Sequence, residues 1–201
     1  MVSIGVFISF SLKTLLFCGV YYVSPVGKDT NPGTEKLPWA SPAYGAKKLK
    51  PGDTLIIQKG KYILADYEKD RITVPSGKPD AWVIIKGENG TILSGKENLA
   101  TIFDLSGASY VRIEDIEITS VSGQLCRDGI EILEKPAHHI VLQNLFIHHL
   151  DEFGINFQDI QYLLINNCQI QFCGFGAIGG PAGRYGGWKY VQIFHTQLSY
   201  S

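Results

Sequence analysis

Five acidic residues fall on two neighbouring stretches of this chain: Asp128 and Glu131, then Asp151, Glu152 and Asp159. Carboxylates that converge can do two kinds of chemistry. They can hold a hard cation such as calcium, which takes several oxygen ligands at one point, or they can move protons as a general acid and base. Asp128 and Asp151 occupy equivalent turns and are expected to stack. Glu131 alternates with Ile130 and Ile132, which points it outward. The competing reading is that all five are solvated turn residues, and the spacing by itself favours that.

A second group is Arg184, Tyr185, Trp188 and Lys189, in or just after the glycine-rich stretch 179–187. Aromatic rings stack on sugar faces and a guanidinium pairs with a carboxylate, so these four are the substrate-binding candidates. The alternative is a flexible connection whose Trp packs back on the body of the protein. No strand–loop–helix context surrounds the glycines, so the loop is not a phosphate cradle. His138, His139, His148 and His149 form two pairs around one strand. They lack the helical spacing of a zinc motif, and a packing role is expected for His139. No residue set can be assigned as catalytic from spacing alone.

Composition limits the rest. The 201 residues carry 18 basic and 19 acidic side chains, so no broad positive field invites nucleic acid. Residues Met1 to about Gly19 form an interrupted apolar run, too short for a comfortable membrane span and best read as a secretory signal. Residues 20–201 would then form one domain. Three cysteines follow that segment, Cys126, Cys168 and Cys173, and they read as core thiols.

The elements that must position these groups come from an internal repeat. Four segments align: Tyr110 to Ile118, His139 to Ile147, Tyr162 to Ile170 and Tyr190 to Leu198, with an earlier copy beginning at Trp82. Each reads apolar–x–apolar–x–bend–apolar–x–apolar, the period of two short strands with one buried face. The bend holds Asp115, Asn144, Asn167 and His195, types that tolerate a left-handed backbone and can hydrogen-bond along a stack. A third strand recurs at Thr101–Leu105, Asp128–Ile132, Phe153–Phe157 and Phe175–Gly179, and Gly129, Gly154 and Gly176 align. Repeats of this length, with no helical pattern between strands, predict an all-β chain: a right-handed parallel β-helix, that is, a single-stranded solenoid.

The stretch from Tyr21 to Ser41, followed by Leu49 to Tyr62, resembles the entrance of exported β-helix proteins of the pectate-lyase-like superfamily. These include family-nine-type pectate lyases and relatives of alginate lyase and chondroitinase B. The resemblance implies a short N-terminal capping helix, here Ser41 to Leu49, with Ser41 as N-cap and Pro42 in the first helical position. It also implies a polysaccharide partner, calcium as cofactor, and lyase-type elimination on an acidic glycan. The aspartate cluster and coil lysine of family-nine-type lyases are not found in these residues. A non-catalytic glycan-binding or surface-adhesion β-helix is the alternative. The chain stops directly after its fourth aligned unit, which reads as an N-terminal portion of a longer solenoid, or as a stack that self-associates through its last coil.

Overall fold

The structure is a computed structural model, and it describes residues 18–199. The proposed leader therefore lies outside the described residues, apart from Cys18 and Gly19. Three parallel sheets carry the chain, and each coil visits them in turn. The first sheet has seven strands: Val20–Val23, Thr54–Ile57, Val83–Gly87, Ser109–Glu114, Ala137–Gln143, Ile160–Asn166 and Trp188–Phe194. The second has six: Gly60–Leu64, Thr91–Gly95, Glu117–Ser120, Phe146–Leu150, Gln169–Cys173 and Gln197–Ser199. The third has five: Ile72–Thr73, Thr101–Asp104, Asp128–Ile132, Phe153–Phe157 and Gly176–Gly179. This is the parallel β-helix that the repeat predicts.

Period-two alternation explains the core. Val83, Val111, Ile140 and Leu163 share one inward column, with Ile85, Ile113, Leu142 and Ile165 in the next, all of them buried. Cys126, Cys168 and Cys173 are buried free thiols, and Cys168 and Cys173 fall on the inward face as expected. Helix α1, Pro42–Lys48, covers the first coil. Ser41 Oγ accepts from the Tyr44 N–H at 3.2 Å, and Ala43 and Ala46 enter the core beside Leu55. Among the described residues no helix is long and apolar enough to cross a membrane.

The bend between the first two sheets behaves as the residue types require. Asp115, Asn144, Asn167 and His195 all take positive φ, between 46° and 62°. Asn144 Nδ2 donates to Asp115 Oδ1 at 2.7 Å, and Asn167 Nδ2 to Asn144 Oδ1 at 2.8 Å. The ladder stops there, because His195 Nδ1 meets Asn166 Oδ1 instead.

A second left-handed column was not visible in residue type, since bulky side chains disfavour positive φ. It consists of Tyr110, His139, Tyr162 and Tyr190, with φ of 54–55°. Their rings stack at 4.6, 4.5 and 4.6 Å, which confirms the packing role of His139 and offsets the backbone cost.

The alignment of the third strand needs one correction. Phe153 pairs with Gly176, so Ala177, not Gly176, takes the place of Gly154 in the next coil. The requirement at that place is steric. A Cβ on Gly154 would lie 2.3 Å from Ile170 Cγ2 and 2.7 Å from the Ala177 carbonyl oxygen, and one on Gly129 2.7 Å from the Gly154 oxygen. The chain turns tightly against its own core where it enters the third sheet.

Candidate functional site

The third sheet carries the buried polar groups. In its register Asp104 faces Glu131 and Glu131 faces Asn156, one residue from each of three successive coils. Adjacent strands lie about 4.8 Å apart, so these side chains form a row along the solenoid axis. Gly179 follows in the same column and opens into the glycine-rich loop.

Glu131 is not a solvated turn residue. It is 6% exposed and is held by Arg127 Nη2 at 2.7 Å. Asp128 is fully buried: it accepts from Arg127 Nε, from Asn156 Nδ2 and from the Phe153 backbone N–H, each at 3.0 Å. One guanidinium thus serves two carboxyls on one strand. Arg71 Nη1 lies 3.3 Å from Asp104 Oδ2, and it donates to the Tyr67 hydroxyl at 2.6 Å at the end of helix α2, Tyr67–Asp70.

Burial pushes the Glu131 carboxyl up to about 7; Asp104 adds to the rise, Arg127 opposes it, and Asp128 adds again. A carboxyl poised near neutrality can give or take a proton in working conditions. Asn156 completes the row. Its Nδ2 is committed to Asp128, and its Oδ1 is buried without a partner among the described residues.

The other acids are placed differently. Asp128 and Asp151 do not stack: the Asp151 N–H donates to the Cys126 carbonyl, two positions before Asp128. The register partner of Asp128 is Phe153, because the turns on either side of this strand are shorter in the next coil. Asp151 is exposed, and Glu152 lies near enough for its charge to act on Arg127. Asp159 serves the glycine-rich loop: its carboxylate accepts backbone N–H bonds from Arg184, Tyr185 and Gly187 at 2.8–2.9 Å. Burial acts to raise Asp159, but the three N–H donors outweigh it and hold the group below the usual carboxylate range. Among the described residues no three His, Cys, Asp or Glu side chains are grouped to hold a metal ion. The oxygens of Asp128 and Asp159 accept from N–H donors of the protein.

The loop residues divide. Trp188 packs one side back while staying 47% exposed: its indole N–H donates to the Phe157 carbonyl at 3.0 Å and its ring lies 4.2 Å from the Phe157 ring. Arg184, Tyr185 and Lys189 stay exposed. Replacing Asp159 with Ala is expected to free all three N–H groups and loosen the loop. Limited trypsin digestion checks this, since cleavage after Arg184 should then outpace cleavage elsewhere.

The sequence reading missed Arg71, Asp104, Arg127 and Asn156. A signal for two of them existed: Asp104, Glu131 and Asn156 each occupy the fourth position of the aligned third strands. Among the histidines, His148 lies within the strand Phe146–Leu150 and is partly buried. It meets Thr119 Oγ1 at 3.2 Å and Glu117 Oε1 at 3.3 Å, and burial lowers its pKa against the opposing pull of Glu117.

No family model matches the chain. Over 111 residues it is 31% identical to the uncharacterized protein YwoF of Bacillus subtilis (strain 168), a match covering 53% of this chain and 22% of that protein. Among solved structures it is similar to a rhamnogalacturonan lyase (TM-score 0.68, 16% identity), to pectate lyase Pel9A (0.65, 18%) and to the GH136 lacto-N-biosidase of Eubacterium ramulus (0.63, 16%). Each likeness covers 89% of this chain and 51%, 47% and 41% of the other, so the chain spans about half the length of these structures or less. Three stacked parallel sheets, left-handed Asx corners and these likenesses together show that the chain has the pectate-lyase-like parallel β-helix fold.

Proposed function

We propose that this is a carbohydrate-active β-helix protein of the cell exterior that cleaves an acidic glycan by lyase-type elimination at the outer face of its third sheet. The observation that carries the reading is the row Asp104–Glu131–Asn156, with a carboxyl poised near pH 7 and a guanidinium at each end of the acidic pair. Glycosidic cleavage, whether by elimination or by hydrolysis, requires a proton for the departing oxygen. Glu131 is the group suited to supply it. Asp104 is the nearest carboxyl in the row and the candidate for the complementary basic role.

Exposed Arg184, on the loop that continues this column, and Lys189, at the start of the first-sheet strand that follows it, would meet the glycan's carboxylates. The solved neighbours whose names state a lyase or a biosidase activity support a glycan as the partner class. Export rests on the apolar leader outside the described residues.

Product analysis tests the reaction. The protein would be incubated with polygalacturonate, alginate and a neutral glycan. New ultraviolet-absorbing unsaturated ends on an acidic polymer are the expected result. New reducing ends without that absorbance would make the same row a hydrolase site. Binding without any cleavage would replace the enzymatic reading with the glycan-binding one, carried by the exposed loop residues.

A further inference from the structure

Where the first and second sheets meet, away from the third, the surface holds a groove of about 800 Å³ that shares no residue with the site above. That volume falls in the range of about 300–1,000 Å³ typical of small-ligand sites. Its composition is specific. Two aromatic rings, Tyr22 and Phe146, stand in the walls with the amides of Asn89 and Asn144.

The single lysine of the groove, Lys86, is already neutralised: its ammonium lies 2.8 Å from Asp115 and 3.0 Å from Glu114, and both hold it above its ordinary pKa. Three further carboxylates are not neutralised in this way. Glu88 accepts one backbone N–H, from Lys59, through Oε2, and Glu117 meets His148 through Oε1. The other oxygen of each, and both oxygens of Glu35, have no partner among the described residues. Burial keeps His148 below its ordinary pKa, so it adds little positive charge near neutrality.

A groove with surplus negative charge repels a uronate polymer. It suits a ligand that joins an amine to a rigid ring with one apolar face. We infer that this corner groove binds a cationic glycan, one whose sugar units carry free amino groups. The ammonium groups pair with Glu35, Glu88 and Glu117, a pyranose face lies on Phe146 or Tyr22, and the amide of Asn89 takes a ring hydroxyl, the Asn144 amide being held in the corner ladder. The site is independent of the third-sheet row and stands whether or not that row is catalytic.

Calorimetric titration of the whole chain with a glucosamine hexamer tests it. Binding is expected, weakening as salt is raised and absent for the N-acetylated hexamer and for oligogalacturonate. Phe146→Ala should weaken it by about tenfold, the upper end for one aromatic contact. The double variant Glu35→Gln/Glu88→Gln changes only exposed positions and should weaken it at least as much. No affinity for the hexamer, or unchanged affinity in both variants, would refute the site. Equal binding of an oligolysine peptide would overturn the sugar assignment, showing that charge alone is read.

Discussion

Glu131→Gln is expected to lower glycan cleavage by roughly a hundredfold or more, the usual contribution of a positioned general acid, while making the protein more stable above neutral pH. The two effects share one cause. Burial raises the folded pKa of Glu131 to about 7 from an ordinary value of 4.5. A carboxyl raised in this way contributes its full stability below about pH 4.5, and loses it as pH rises through about 7. Ionising it inside the fold costs, well above that point, on the order of 3 kcal/mol.

Glutamine never ionises and can still accept from Arg127, so the variant should escape that cost. Melting temperature measured from pH 4 to 9 checks this: wild type should decline between about pH 4.5 and 7 and level off above, while the variant should stay level throughout. Wild-type cleavage should fall as pH passes through about 7, where Glu131 in the folded protein gives up its proton. Parallel melting curves for the two proteins would show that Glu131 is hydrated and not poised. Unchanged turnover in the variant would remove it from the mechanism.

Arg127→Ala should be the most destabilising single change at the site. Asp128 keeps its donors from Phe153 and Asn156 but loses its cation, and Glu131 loses the guanidinium donor at 2.7 Å. Removing one partner of a buried ion pair costs about 3–5 kcal/mol because the remaining charge is stranded. Arg127 is itself 38% exposed, so water screens part of the interaction and about 3 kcal/mol is expected. Arg127→Lys keeps the charge but not the fork that reaches both carboxyls, and should recover only part of the loss. Urea midpoints at pH 6 decide the matter, and a loss below about 1 kcal/mol would mean that the two acids hold themselves without the guanidinium.

The contrast between the two acidic groups shows why the site was harder to read than the fold. Asp159 and Asp128 look alike in sequence, each beside a turn. One anchors a loop through three backbone N–H groups and the other is enclosed by an arginine, an amide and a neighbouring strand. Only the adjacent Arg127 is a local partner of Asp128; the other partners of the two acids come from residues 25 to 28 positions away.

The expected pairing of Asp128 with Asp151 failed for a related reason. Turns between the second and third sheets differ in length, so counting from one repeat to the next loses register there. Counting along the strands themselves keeps it, which is why Asp104, Glu131 and Asn156 could have been aligned.

By itself the sequence determined the solenoid, its strand faces, the left-handed Asx corner and the capping helix. All of these follow from period-two alternation and from residue types whose backbone preferences act within a few positions. Only the tertiary structure decided that Glu131 is buried, that Arg127 bridges two carboxyls, and that tyrosines and a histidine share a left-handed column. Those outcomes depend on which side chains stack from one coil onto the next, and on how much water the stack excludes. Exclusion of water shifts a proton equilibrium, and it belongs to the assembled coils and not to any one of them.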